Sequence, residues 1–112
     1  MLPIWEIILY LCEKTMRVIA KRILREFWEV HQDCREQLKS WFNEAEKADW
    51  QSPDDIKKDY PSASILKSQR VIFNIKGNTY RLIVKINYDY GIVWIRFIGT
   101  HEEYDNINDE TV

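Results

Sequence analysis

The sequence predicts an α+β fold in which an N-terminal helical hairpin packs on an antiparallel sheet of three to four strands, with a short helix at the C-terminus. Three observations carry this prediction. Apolar residues recur at helical spacing in the first half of the chain. After Pro61 the apolar period changes to two, which is typical of half-buried strands. The third observation is size, because 112 residues of which 46% are hydrophobic suffice for one core.

The helical half is expected to contain a hairpin of two helices and then a third, shorter helix. Apolar side chains lie mostly three or four residues apart from residue 20 to 31 and again from 34 to about 48. The corner between these two helices is short, so they should lie side by side, with Asp33 as the cap of the second. Pro53 begins the third helix, and Pro61 ends it.

The strand half is organised by a hairpin whose turn is Gly77-Asn78. This turn joins strands 69–76 and 79–87 and sets Asn74 opposite Arg81. In that register one face of the hairpin is uniformly apolar and the other carries the charges. A slip of one residue would mix the two faces, so the pattern itself supports the register.

A second turn at residues 88–91 leads into a third strand, 92–98. Alternation along that strand places three apolar side chains on the core face, which are Val93, Ile95 and Phe97. Trp94 and Arg96 then fall on the charged face. Residues 16–19 are β-branched in part and are expected as an edge strand.

Residues 1–15 are interpreted as an N-terminal extension, expected to be helical, ahead of a single domain formed by residues 16–112. Its apolar run is too short to span a bilayer and lacks the features of a secretory signal, so no membrane role is expected. The two cysteines, Cys12 and Cys34, are too few and too far apart to predict a zinc site. We expect both to be reduced thiols in a cytoplasmic protein.

Charge is distributed unevenly along the chain. The formal net charge is −2, which taken alone argues against a nucleic-acid ligand. Residues 61–100, however, contain six Lys or Arg against one Asp, and residues 101–112 contain five acidic residues and no base other than histidine. The strands therefore carry a local excess of positive charge.

The charged face of the predicted sheet is a candidate surface for a polyanion. Its members are Arg70, Asn74, Lys76, Arg81, Lys85, Trp94 and Arg96. Basic side chains interleaved with an aromatic ring suit a phosphodiester backbone with stacked bases. The alternative is an ordinary solvated sheet face.

The residues after the third strand form a second candidate motif. Thr100 and Glu103 have the spacing of a capping box, which predicts that a helix begins there. His101 and Tyr104 then share one face, and Asp105 is placed to accept a proton from the imidazole ring. A histidine and a tyrosine beside an arginine can cleave RNA. The spacing alone slightly favours the alternative, in which His101 is a turn residue and Tyr104 packs under the sheet.

Two segments resemble a known family. The segments FNIKGNTYRLIVKINY (73–88) and IRFIGTHEEYD (95–105) are similar to the HigB-type toxins of bacterial toxin–antitoxin pairs, which are small RelE-like mRNA endonucleases. The similarity runs from about Met16 to Asn106, and residues 1–15 depart from it. The resemblance implies a RelE-like fold and a metal-independent ribonuclease, without a cofactor, that cuts mRNA on the translating ribosome. It also implies neutralisation by a cognate HigA-like helix-turn-helix antitoxin.

Carried over by position, the resemblance assigns Asn74, Lys76, Asn78 and Arg81 to the family's basic hairpin. It assigns His101, Tyr104 and Asp105 to the terminal motif. The expected roles are Arg81 as phosphate ligand, His101 as acid or base, and Tyr104 as its helper. The alternative function is a toxin of the same fold that binds RNA without cleaving it or that acts on gyrase.

Overall fold

The computed structural model describes residues 16–77, 79–109 and 111–112. The helix expected within residues 1–15, Cys12 and Asn78 therefore lie outside the described residues. In chain order the elements are β1 (Arg17–Ile19), α1 (Lys21–Val30), a 3-10 turn (Gln32–Cys34), α2 (Arg35–Lys47), α3 (Pro53–Asp59), β2 (Ser64–Ile65), β3 (Arg70–Ile75), β4 (Tyr80–Asn87), β5 (Ile92–Thr100) and α4 (His101–Asp105).

The described strands form one five-stranded sheet in the order β1-β5-β4-β3-β2. The α+β class is confirmed. The described sheet has five strands, one more than the predicted three to four, and one of its pairings is parallel where the prediction was antiparallel. The edge strand β1 runs parallel to β5, with Val18 opposite Val93. At the other edge, β2 has only two residues, and so short a segment has no alternation by which the sequence could reveal it.

The hairpin register is confirmed for every residue of β3 and its partner in β4. Asn74 lies opposite Arg81, and Arg70 lies opposite Lys85. The backbone at Gly77 has a φ of 64°, a left-handed conformation that glycine adopts without a steric penalty. The turn chemistry and the separation of apolar from charged residues therefore led to the correct pairing.

A β-bulge in the pairing of β4 with β5 changes the face of one predicted core residue. Val84 lies opposite Ile95, but the next residue back along β4, Ile83, lies opposite Phe97. Arg96 is the additional residue, so the alternation along β5 shifts by one position at this point. The prediction that Phe97 faces the helices is wrong, because the core of the helical layer receives Ile98 in its place.

The helices cover the face of the sheet that carries Leu82, Val84 and Ile86. The largest completely buried side chains there include Trp41 from α2 and Phe73 from β3, whose rings meet edge to face at 5.3 Å. Cys34 is a free, buried thiol whose Sγ donates to the His31 carbonyl oxygen at 3.1 Å. In the part of the chain that the structure describes, no helix has the length and apolarity needed to span a membrane.

The corner between α1 and α2 is tied to the distant hairpin turn. Asp33 was expected to cap α2, but α2 has no side-chain cap, and the residue at its N-cap position is Cys34. The Asp33 carboxylate instead accepts hydrogen bonds from Lys76 Nζ at 2.9 Å and from the Tyr80 hydroxyl at 2.7 Å. Charge-assisted bonds to two long-range partners thus replace one local cap.

Candidate active site on the open face of the sheet

The sheet face opposite the helices, called the open face below, carries Arg81 near one end of the middle strand, β4. Arg81 lies on β4 opposite Gly99, close to the end of β5 where α4 begins. Its Nη2 is 3.5 Å from His101 Nε2. Its guanidinium carbon also lies 4.6 Å from the centroid of the Tyr104 ring, a distance suited to a cation–π interaction. The structure thus brings together the three residues that the sequence placed in a catalytic group.

The start of α4 is fixed by the predicted capping box. The Thr100 hydroxyl accepts from the Glu103 backbone N–H, and the Glu103 carboxylate accepts from the Thr100 backbone N–H, each at 3.2 Å. Because β5 leads directly into α4, the cap fixes the direction in which His101 and Tyr104 leave the sheet. Their ring centroids are 6.3 Å apart.

Asp105 lies where the sequence predicted a partner for the imidazole. His101 Nδ1 and Asp105 Oδ2 are 3.3 Å apart, and the two side chains are 47% and 60% exposed. A carboxylate beside Nδ1 favours the tautomer that carries its proton there. Nε2 is then the unprotonated nitrogen, and it can accept a proton from a bound substrate that takes the place of its contact with Arg81.

The Tyr104 hydroxyl has a partner that the sequence did not reveal. It donates to Asp109 Oδ2 at 2.5 Å. This hydrogen bond, with a smaller effect of desolvation, raises the pKa of Tyr104 above its usual value. The hydroxyl therefore stays protonated at neutral pH. Its hydrogen bond to Asp109 holds the ring beneath the Arg81 guanidinium.

Two of the predicted RNA-binding arginines donate hydrogen bonds to the protein's own backbone. Arg70 is 8% exposed and donates from Nε and Nη2 to the Val112 backbone oxygen at 3.1 and 2.9 Å. Arg96, which is exposed, donates to the same oxygen from Nε at 3.3 Å. Arg70 therefore lies buried against the chain's own backbone on this face, whereas the Arg96 side chain remains exposed.

The remaining predicted RNA-binding residues differ in where their side chains lie. Lys85 and Trp94 lie opposite each other on the open face, and both are partly exposed. Lys76 instead forms its ion pair with Asp33 at the helical corner, because its backbone adopts a left-handed φ of 52°. Asn74 donates to the Ser62 carbonyl oxygen at 3.3 Å. The structure thus gathers Lys85 and Trp94 on the face of Arg81 and directs Lys76 away from it.

Across the residues that the structure describes, no cluster of three or more histidine, cysteine or acidic side chains has the arrangement of a metal site. The open face itself presents a cation at Arg81, an imidazole at His101 and a phenol at Tyr104.

Comparison with known proteins identifies the family to which these residues belong. The HigB toxin family, described as the RelE-like toxic component of a toxin–antitoxin system, matches residues 34–107. The chain belongs to this family. The match includes the whole of the group formed by Arg81, His101, Tyr104 and Asp105.

Individual relatives are consistent with the family. The HigB-family chain is 26% identical over 92 residues to the mRNA interferase toxin HigB of Escherichia coli K12, and this match covers 80% of the chain and 88% of the relative. The same identity and coverage are found for the mRNA interferase HigB of Escherichia coli O157:H7 and for that of Shigella flexneri. As a toxic component of a toxin–antitoxin system, this HigB-family protein has an antitoxin as its partner.

Proposed function

We propose that this HigB-family toxin is an mRNA interferase that cleaves messages on the translating ribosome, with Arg81 and His101 as the reacting side chains. The single observation that carries the proposal is the convergence of the Arg81 guanidinium and the His101 imidazole, 3.5 Å apart, on the open face. The name of the curated relatives, mRNA interferase, supports the same activity.

The reaction that these groups support is attack of a ribose 2′-hydroxyl on the adjacent phosphorus. His101 Nε2 accepts the 2′-hydroxyl proton, since Asp105 lies beside Nδ1. Arg81 stabilises the negative charge that develops on the phosphate oxygens. The P–O5′ bond breaks, and the message is left with a 2′,3′-cyclic phosphate and a new 5′ end.

The departing 5′-oxygen requires a proton from a donor other than Tyr104. The Tyr104 hydroxyl already donates to Asp109, and its ring supports Arg81. We assign this proton to a group on the ribosome, which gives a chemical reason for cleavage of translated rather than free messages. No metal ion or cofactor enters this mechanism.

The RNA chain should extend from Arg81 across the open face toward Lys85 and Trp94. These two residues lie four and five positions from the Arg81–Gly99 pair along β4 and β5, a distance of about 14 to 17 Å at the rise of a β-strand. A partly exposed indole provides a surface on which a base stacks, and Lys85 provides a charge for the backbone.

The proposed partners follow from the same function. The antitoxin is a HigA-like protein with a helix-turn-helix, and the toxin acts in the cytoplasm, where it meets mRNA and ribosomes. Acidic side chains of the antitoxin would complement the open face around Lys85 and Arg96.

Expression of the chain without an antitoxin tests the activity. We expect growth arrest and new 5′ ends within a translated reporter message by primer extension, and loss of both for Arg81→Ala and His101→Ala. Arg25→Ala, which removes an exposed arginine of α1, is the matched control and should arrest growth like the unmodified toxin. A reporter without a start codon should stay intact.

Two outcomes would contradict the proposal. Growth arrest by Arg81→Ala and His101→Ala at full strength would show that the site is elsewhere. Growth arrest with no new 5′ ends would favour the alternative, a toxin of the same fold that binds RNA without cleaving it or that acts on gyrase.

A further inference from the structure

The segment that follows α4 returns to the open face and contacts it at two points. At the first point, Arg70 and Arg96 both donate to the Val112 backbone oxygen, at distances from 2.9 to 3.3 Å. At the second point, Asp109 Oδ2 accepts a hydrogen bond from the Tyr104 hydroxyl at 2.5 Å. The segment therefore connects the far end of the face with the ring that supports Arg81.

A turn in the backbone joins these two contacts. The Asn108 carbonyl oxygen accepts from the N–H groups of Thr111 at 3.2 Å and of Val112 at 3.0 Å. Fixing Val112 against the sheet consequently limits where Asp109 lies. The contacts form one series, from Arg70 to Val112, from the turn to Asp109, from Asp109 to Tyr104, and from the Tyr104 ring to Arg81.

The environment of Arg70 is that of an anchor within the protein. Its side chain is buried, and besides its two bonds to Val112 it donates from Nη1 to the Ser68 carbonyl oxygen at 3.2 Å. A planar guanidinium that donates to the backbone oxygens of two residues has little freedom to move with an RNA phosphate. The sequence alone, in which Arg70 is one more base on the charged face, does not reveal this.

We propose that Asp109 is a positioning residue for Arg81, acting through Tyr104, and that Arg70 anchors the C-terminal segment for this purpose. The proposal rests on the proposed function, in which Arg81 stabilises the reacting phosphate. An arginine side chain has many rotamers, and a ring fixed beneath the guanidinium reduces them before the substrate arrives. Loss of this support lowers the rate of the chemical step more than it lowers RNA affinity.

The test compares full-length toxins in a reconstituted translation system in which kcat and KM for cleavage of the ribosome-bound message are measured. For Asp109→Ala, which removes the acceptor of the Tyr104 hydroxyl, we expect kcat to fall about tenfold while KM changes less than about twofold. Glu102→Ala is the matched control, since it removes an acidic side chain from an exposed position of α4, and both parameters should stay within about twofold.

Tyr104→Phe provides an independent variant, because it keeps the ring beneath Arg81 but removes the hydroxyl that donates to Asp109. It should reproduce the loss in kcat, and the double variant should lose no more than either single variant. Arg70→Ala should lower kcat without raising KM. Thermal unfolding of each variant, compared with the parent, separates these effects from loss of the fold.

Several outcomes would overturn the proposal. An increase in kcat for Asp109→Ala would mean that the segment blocks the site. Additive losses for Asp109→Ala and Tyr104→Phe would mean that the two residues act separately, and a rise in KM for Arg70→Ala would identify Arg70 as an RNA ligand. If Arg81→Ala is inactive but Asp109→Ala is fully active, only this inference fails. If Arg81→Ala is itself fully active, the proposed function fails and the inference fails with it.

Discussion

The solvent exposure of His101 and Asp105 allows us to predict how much the cleavage rate falls when Asp105 is removed. The two side chains are 47% and 60% exposed, and His101 Nδ1 is 3.3 Å from Asp105 Oδ2. Two unit charges about 4 Å apart interact by about 1 kcal/mol in water, and exposed pairs four residues apart on a helix contribute only about 0.3 to 0.5 kcal/mol. Asp105 should therefore contribute little by charge alone.

Converted to a rate, about 0.5 kcal/mol corresponds to a factor of about two. We expect Asp105→Ala to lower the single-turnover cleavage rate two- to fourfold, including a contribution from the less fixed tautomer. Removing the base itself costs far more, since general bases contribute about 10²- to 10⁴-fold. His101→Ala should therefore be at least about thirtyfold slower than Asp105→Ala.

The assay is single-turnover cleavage of a message held in a stalled ribosomal complex, with both variants in excess. Equal and severe losses for Asp105→Ala and His101→Ala would refute the reasoning, because such a result belongs to a desolvated, strongly coupled pair. A His101→Ala variant as fast as the parent would refute the assignment of the base.

Three further predictions concern residues away from the reacting groups. Hydrogen bonds, the first of them from Lys76, hold the pKa of Asp33 below its usual 3.8, and the bond to Asp33 raises the pKa of Tyr80 to about 12. The stabilisation is thus lost below pH 4 and, through Tyr80, as pH rises from about 10 to about 12. In urea unfolding, Asp33→Asn should lack the acid dependence and show a smaller alkaline dependence, because desolvation also raises the pKa of Tyr80. Gly99→Ala would place its Cβ 2.6 Å from the Phe97 ring, so we expect a loss of about 1 to 3 kcal/mol in the free energy of unfolding. Burial raises the pKa of the Cys34 thiol to about 11, so mass spectrometry should find Cys34 unalkylated by iodoacetamide at pH 8 in the native protein and alkylated in urea.

The parts of the fold that the sequence predicts correctly are those with local causes. The register of β3 with β4 follows from a two-residue turn and from an alternation that only one pairing respects. The beginning of α4 follows from a capping box whose two residues are three apart. His101 and Asp105 come together for the same reason, since one helical turn separates them.

The parts that the sequence does not predict depend on contacts between distant residues. One additional residue at Arg96 shifts the alternation of β5, and the composition of the strand contains no sign of it. Asp33 lies 43 and 47 residues from its two hydrogen-bond partners, so the local rule for helix caps selected the wrong role. The excess of acidic residues in 101–112 is evident from the sequence. Charge alone, however, does not show that Asp109 contacts Tyr104 or that Arg70 binds a backbone oxygen.

The parallel pairing of β1 with β5 has a consequence for the time at which a newly made toxin becomes active. Arg17–Ile19 are synthesised early, but their partners, Ile92 to Trp94, are synthesised near the end. Arg81 is likewise synthesised before His101, Tyr104 and Asp109, so neither the sheet nor the reacting group can form until residues 92–109 have been made. A pairing so distant in sequence also forms slowly. Under the proposed function, a nascent toxin therefore cannot cleave a message before residues 92–109 have been synthesised and have folded.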